Sequence, residues 1–328
     1  MSVSSSFAAR VRHNLRYDGL WWRKFAYLGC VYGPEWWKRH SPPAIAAIIF
    51  ALVGRNRRGA TSNMQRILGN NTSRSRAQRA ALRMFAEFSH CFTETMEYYG
   101  PRPKPIRIDI PERDELAKAL HSGHGAVVVT GHFGNWDVAA KGLREYGRPI
   151  NLVMAREVNA TANEYVRQAR EGVGVQVIYS DSSVFSSLNM VRALRRNEVV
   201  AIQLDRPMDA DGTRLVPFFG APAVFPSGPF VLARVAGAPL IPVFVPRLGT
   251  RHYAIRVCGR FDVAREARDS RALARVMSEV VGAFEAIVRE FPTQWFQFAP
   301  FWSEETSAGR VPGTVADEAP VPRLRVRR

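Results

Sequence analysis

From Ile106 onward the chain alternates short apolar runs with longer segments of helical period, and this alternation constrains the fold more than any other feature. The runs at Ala126–Thr130, Ile150–Ala155, Gln176–Tyr179, Val199–Leu204, Leu240–Val245 and Tyr253–Val257 have the length and composition of strands. Helix-forming stretches lie between most of them, at Trp136–Tyr146, Ala160–Glu171, Val184–Arg196 and Gly228–Val235, with a longer one at Arg268–Glu290. Apolar strands separated by helices of this length are covered on both faces. They predict an α/β fold with a mostly parallel central sheet flanked by helices. Open sheets of this kind take ligands beyond the carboxyl ends of their strands, so chemistry is expected in the residues that follow each run.

The first hundred residues differ in character and are expected to be helical. A basic amphipathic start (Val3–Tyr17) leads into a tryptophan-rich segment and an apolar helix at Ala44–Val53. A long helix follows at Ser75–Tyr99, with Leu82, Phe85, Phe88, Phe92 and Met96 at core spacing. Pro101, Pro103 and Pro105 then punctuate the chain. Of the total formal charge of +17, residues 1–83 supply +13, with 15 Lys/Arg against only Asp18 and Glu35. The positive charge is therefore regional, and it predicts an anionic partner for that region.

The longest uncharged apolar window, Ser41–Gly54, is shorter than the roughly 20 residues a membrane span requires. Trp21, Trp22, Trp36 and Trp37 sit beside Arg23, Lys24, Lys38 and Arg39. Aromatic rings at headgroup depth and cations against anionic lipid are what a re-entrant or interfacial anchor needs. We therefore expect residues 1–54 to form a basic, membrane-associating helical segment, residues 55–302 the main domain, and the Gly/Pro/Ala-containing stretch 303–328 a disordered tail. Cys30, Cys91 and Cys258 show no paired spacing, and the seven histidines no ligand cluster. Disulfide and zinc frameworks are not expected, the compartment is expected to be reducing, and the polar start Met1–Arg16 shows no secretory core.

The strongest chemical candidate follows the first apolar run, at Gly131-His132-Phe133-Gly134-Asn135-Trp136-Asp137. A histidine at a strand end with a carboxylate five residues on, where a helix begins, predicts that Asp137 turns back onto one imidazole nitrogen. The other nitrogen is then left as a base. The flanking glycines, Gly131 and Gly134, are expected to leave room for substrate. No nucleophilic serine accompanies the pair, so the attacking group would be a substrate hydroxyl. The oxyanion formed would be met by backbone N–H groups at the start of the Trp136 helix or by Asn135.

Arg156, Arg167, Arg170 and Asp205-Arg206 fall at or near the same sheet edge. The apolar loop Val216–Pro222 is suited to lining an acyl-chain groove. A G-x-S-x-G elbow, a phosphate-loop G-x-x-x-x-G-K and a strand-coupled G-x-G-x-x-G are absent.

This ordered set resembles the bacterial lipid A late acyltransferases, the lauroyl/myristoyl acyltransferase branch of the lysophospholipid acyltransferase superfamily. The resemblance rests on His132 and Asp137, on Arg156, and on Asp205 before a loop ending Pro217-Phe218-Phe219-Gly220. It continues through Leu232–Pro242 and closes at Phe291-Pro292-Thr293-Gln294-Trp295-Phe296, covering roughly Arg55 to Trp302. It implies an acyltransferase domain at 55–302 that moves a fatty acyl chain from acyl-carrier protein or acyl-CoA to a lipid hydroxyl, without metal or organic cofactor. The acceptor would be a lipid A-like glycolipid or a lysophospholipid, met at the cytoplasmic face of the inner membrane by a peripheral or monotopic protein. Arg156 and Arg170 would bind headgroup oxygens, and Asp205 would shape the acceptor site. The chain departs from the pattern in lacking a clear N-terminal span. It also reads Gln297-Phe298-Ala299-Pro300-Phe301-Trp302 where the lipid A enzymes often carry a basic cluster. The same branch includes enzymes acting on mycobacterial mannosides.

Two rivals follow from the same residues. A nucleic-acid binder would account for the net charge, but the cations lie among tryptophans and apolar helices, without a motif of that class. A non-catalytic lipid-binding scaffold of the same fold would keep the architecture and lose the base.

Overall fold

The computed structural model describes residues 20–302, apart from 70, 122, 156–166, 169, 173, 181–183, 207–211 and 264–269. The expected helix at Val3–Tyr17, most of that at Ala160–Glu171, the residue Arg156 and the tail from Ser303 lie outside the described residues.

Among the described residues four helices come first: α1 (Leu20–Tyr32), α2 (Glu35–Leu52), α3 (Gly54–Ile67) and α4 (Arg74–Tyr98). The hydroxyl of Ser73 caps α4 by accepting from the Arg76 amide at 3.4 Å, satisfying one of the unpaired donors of a helix start. The core stripe expected on α4 is rotated. Its buried face runs through Ala77, Ala81, Met84, Phe85, Cys91, Glu94 and Thr95, while Phe88 and Phe92 are each 40% exposed. Small residues allow α4 to approach the domain closely, and Phe88 packs at the rim against Phe296 and Phe298.

Helix α2 begins well before the expected Ala44 and buries only Pro42 and Ala46. Lys38 on α2 donates to Glu97 at 2.8 Å, and Arg251 grips the same carboxylate, fastening α2 and α4 to the sheet domain. Among the described residues no helix is long and apolar enough to cross a membrane.

Strand β1 (Arg107–Asp109) and helix α5 (Arg113–Leu120) lead to β2 (Ala126–Thr130), α6 (Trp136–Arg144), β3 (Ile150–Met154), β4 (Val175–Tyr179), α7 (Val184–Arg195) and β5 (Val199–Gln203). Then come β6 (Thr213–Phe218), β7 (Ala221–Pro226), α8 (Gly228–Ala236), β8 (Leu240–Phe244), β9 (Arg247–Gly249), β10 (His252–Ala254), β11 (Arg256–Val257) and α9 (Ser270–Glu290).

The main sheet has the order β11-β8-β2-β5-β3-β4, parallel throughout except for the short edge strand β11. This is the α/β architecture that the alternating pattern predicts. The run Tyr253–Val257 divides: β10 joins β1 and β9 in a small separate sheet, and β11 pairs with β8.

The Val216–Pro222 stretch is not a loop. It forms the turn end of a two-stranded ribbon, β6–β7, turned by Phe219 and Gly220, both at positive φ (51° and 72°). Two consecutive left-handed residues give a turn whose twist matches that of paired strands, and the ribbon tolerates Pro217 opposite Pro222 because it has no further neighbours to satisfy. Phe218 is fully buried against Phe284, Trp295 and Trp302, so the ribbon closes an aromatic core where a groove was expected.

Candidate active site

Strand β2 delivers His132, and the parallel strand beside it delivers the partner. Thr130 and Gln203 are paired in register across β2 and β5. Two residues further on each strand stand His132 and Asp205, so the register brings them side by side. His132 Nδ1 lies 2.9 Å from Asp205 Oδ1, and the His132 amide donates to Oδ2 at 2.9 Å. The indole N–H of Trp295 donates to the same Oδ2 at 2.8 Å.

Asp205 is 1% exposed. Burial alone would raise its carboxyl, but the His132 charge and hydrogen bond, Arg206 and the Trp295 indole hold it down to about 2. The carboxylate is thus ionised, desolvated and fixed by three donors. It holds one face of the imidazole and leaves Nε2 as the free nitrogen, while the His132 ring itself keeps partial solvent access.

This differs from the pairing predicted by local spacing. Asp137, in the first turn of α6, accepts instead from the Tyr99 hydroxyl at 2.8 Å and from Arg170 Nε at 3.0 Å. Arg170 is buried and lies over the Trp136 ring, its guanidinium carbon 4.6 Å from the centroid. The arginine expected at a headgroup is therefore turned inward and neutralised.

Asn135, expected to touch substrate, is also committed elsewhere. Its Nδ2 donates to the Tyr253 hydroxyl (3.1 Å) and the Cys91 carbonyl (3.4 Å), and its Oδ1 accepts from Thr95 (3.0 Å). Tyr253 in turn donates to Glu94, whose other oxygen is held by Arg247. The Asn135 amide N–H donates to the Val245 carbonyl. A buried network of this kind fixes the start of α6 and leaves neither of these Asn135 donors free for an oxyanion.

The two glycines have structural reasons too. Gly134 has φ +56°, and a Cβ there would stand 1.9 Å from the Val245 carbonyl oxygen; at Gly131 it would meet Phe284 at 2.9 Å. They admit neighbouring elements of the fold, not substrate.

The chain from Trp295 to Trp302 was legible only as part of a family-like ending, yet it closes the site. Phe296 N–H donates to the His132 carbonyl at 2.7 Å, and Gly134 N–H donates to the Gln294 carbonyl at 2.8 Å. Asn63 on α3 then binds the carbonyls of Gln297 and Ala299 and the Phe301 amide. One segment thereby ties the end of β2 to the helical region.

An apolar cavity of about 40 Å³, lined by neither His132 nor Asp205, lies between α6 and one face of the sheet, among residues that include Val128, Thr130, Leu152, Ala201 and Ala139. Its polar end is the Tyr99–Asp137–Arg170 group. Among the described residues the Thr130 hydroxyl, which lines this cavity, and the amide nitrogen of Gln203, its register partner on β5, are buried without hydrogen-bond partners. Such groups are costly unless something else occupies them. Among the described residues no group of His, Cys, Asp and Glu is disposed to hold a metal ion.

Comparison with known proteins places the chain in a family. The chain is 27% identical over 205 residues to a phosphatidylinositol mannoside acyltransferase of Mycolicibacterium smegmatis, covering 62% of this chain and 65% of the relative. It is 28% identical over 198 residues to a phosphatidylinositol mannoside acyltransferase of Mycobacterium tuberculosis, covering 60% of each. These matches span less than two thirds of the relatives' lengths. The model of the bacterial lipid A biosynthesis acyltransferase family matches residues 5–304, nearly the whole chain, and the chain belongs to that family.

Proposed function

We propose that the protein is a membrane-associated O-acyltransferase that moves a fatty acyl chain from an acyl thioester to a hydroxyl of a glycolipid. The observation that carries this reading is the contact between His132 Nδ1 and the buried Asp205 carboxylate. An imidazole whose Nδ1–H is held by an anion is fixed in orientation and presents Nε2 as the proton acceptor.

In the proposed step, Nε2 takes the proton of the acceptor hydroxyl as its oxygen attacks the thioester carbonyl. The imidazolium is stabilised by Asp205, which itself stays ionised. Collapse of the tetrahedral intermediate breaks the C–S bond, and the imidazolium returns the proton to the departing thiolate. Gln203 Nε2, left without a partner on the adjoining strand end, is the donor we assign to the thioester carbonyl. The apolar cavity beside Thr130 is where we place the beginning of the acyl chain, in preference to the closed β6–β7 ribbon.

Asp137 and Arg170 then serve as a buried strut between α6 and the segment after β3. Arg156 remains a candidate for the acceptor headgroup. The names of the relatives favour a mannoside-type acceptor, and acyl-CoA and acyl-carrier protein are both candidate donors. The exposed apolar side of α2 is the membrane-facing element in this reading.

The test is transfer from radiolabelled acyl-CoA or acyl-carrier protein to phosphatidylinositol mannoside and to a lipid A precursor, comparing the parent with His132→Ala. Turnover by the parent on either acceptor, with loss in the variant, supports the assignment. Equal incorporation by both proteins removes His132 as the base.

A further inference from the structure

Between Gly54 and Ala86 the chain carries eight arginines and no lysine, aspartate or glutamate. Arg55, Arg57, Arg58 and Arg66 lie on α3, and Arg74, Arg76, Arg79 and Arg83 on α4. Among the described residues none of the eight forms an ion pair, whereas the arginines of the sheet domain repeatedly do, as Arg170, Arg247 and Arg251 illustrate. Such a concentration of like charge is self-repelling, and it is retained at a cost that an anionic ligand would relieve.

The arginines are also shaped into a site. Helices α3 and α4 border an open cleft of about 790 Å³. Arg57, Arg58 and Arg74 line it with Ser62, Gln65 and Gln78, so its polar lining offers cations, a hydroxyl and amides but no carboxylate. The Arg57 guanidinium is pre-aimed by donating to the carbonyls of Phe50 and Ala51 at 3.3 and 2.9 Å, contacts that leave its charge uncompensated.

Phe50 supplies an apolar wall of the cleft, and it belongs to α2. On α2, Ile45, Ile48, Ile49 and Leu52 recur at helical spacing and are 42%, 61%, 42% and 78% exposed. The apolar stripe therefore ends where the cationic cleft begins. That succession fits a surface lying on a bilayer, with the stripe among acyl chains and the guanidinium groups at phosphate depth.

We propose that the α3–α4 cleft binds the phosphate headgroup of an anionic phospholipid while α2 lies in the interface. The proposal rests on the membrane-associated part of the function above. A guanidinium fork holds two phosphate oxygens at once, which makes arginine the suitable cation for a discrete headgroup site.

Co-sedimentation of the full chain with vesicles tests it, using phosphatidylcholine alone and phosphatidylcholine mixed with phosphatidylglycerol, at about 0.15 M salt. Arg58 and Arg74 are exposed, so Arg58→Gln/Arg74→Gln should melt like the parent. A cation near an anionic surface is worth about fivefold in affinity, so this double variant should bind the phosphatidylglycerol vesicles roughly 25-fold more weakly. Its binding to phosphatidylcholine should be unchanged. The charge-matched Arg79→Gln/Arg83→Gln, outside the cleft lining, should lose clearly less.

Equal losses from the two doubles would reduce the effect to diffuse charge and overturn the site, as would no loss from the first. Retained vesicle binding with lost binding to an acidic acyl-carrier protein would assign the cleft to a protein surface instead, which also overturns the proposal. Should the first double melt lower, the parent decides: competition of its vesicle binding by soluble glycerophosphate supports the cleft, and absence of competition overturns it. His132→Ala should bind vesicles like the parent, so failure of the headgroup site and failure of the acyl-transfer reading are separately visible.

Discussion

The strand-end site and the arginine-rich helices handle charge in opposite ways. Around the sheet edge the carboxylates described above are buried or half-buried and met by a partner: Asp205 by His132 and Trp295, Asp137 by Arg170 and Tyr99, and Glu94 of α4 by Arg247 and Tyr253. In α3 and the first half of α4 the cations, six of them exposed and Arg57 and Arg66 half-buried, have no carboxylate partner among the described residues. Paired charges in a low-dielectric site fix geometry, because breaking one leaves its partner stranded. Unpaired charges at the surface fix nothing internally and remain available to a ligand. In the proposed function, internal ion pairs position the reaction and unpaired surface cations position the molecule.

The sharpest break of that comparison is at the dyad. His132→Ala should lower acyl transfer by about 10²–10⁴. Because it strands the buried Asp205 carboxylate it should also lower the melting temperature, so the rate is compared at a temperature where both proteins are folded. Asp205→Asn should cost a comparable factor, because an amide cannot hold the imidazole in the same tautomer or stabilise its cation. Asp137→Asn should cost much less in rate. A rate loss at Asp137 equal to that at Asp205 would return the orienting role to the local pair.

Next in size is the strut. Arg170→Gln leaves the Asp137 carboxylate half-served in a buried place and should destabilise the fold by about 3 kcal/mol, seen as a lower denaturation midpoint. An acceptor KM that rises with no loss of stability would instead make Arg170 a headgroup ligand.

Acid stability gives a smaller effect with a definite sign. The Asp205 carboxyl is depressed to about 2 in the folded protein, below its ordinary 3.8. Its contribution is therefore complete above pH 4 and is lost as pH falls towards 2. Melting temperatures taken between pH 4 and 2 should fall more steeply for the parent than for Asp205→Asn.

The smallest effect is at Gln203. Replacing an unpartnered buried amide by Leu should leave stability unchanged or slightly higher, while turnover drops about tenfold or more if the amide meets the thioester carbonyl. Unchanged turnover would leave Gln203 outside the reaction.

The reading of residues and the structure agree best where information is local. Strands β2, β3, β4, β5 and β8 fall on the apolar runs within a residue or two, β4 being a half-buried edge strand. For the inner strands this is because a run buried on both faces has few other ways to fold. Helices α6, α7, α8 and α9 follow for the same reason. The β6–β7 ribbon was hidden by its prolines, which read as a stiff loop until Phe219 and Gly220 are seen at positive φ. The core stripe of α4 was misplaced because hydrophobicity marked Phe88 and Phe92. Close packing selected alanines and a polar anchor instead.

By itself the sequence determined the parallel sheet, the histidine at the end of β2 and the family to which the chain belongs. It also determined the concentration of cations in the first quarter. What only the tertiary structure decided is which groups meet. Local spacing could offer His132 no carboxylate but Asp137, five residues away. The register of β2 against β5 offered Asp205, 73 residues away, and the closing segment added Trp295, 90 residues beyond Asp205. Hydrogen bonds in parallel ladders align residues that have no proximity along the chain, and burial then lets one aligned carboxylate hold the histidine while a nearer one is taken by an arginine.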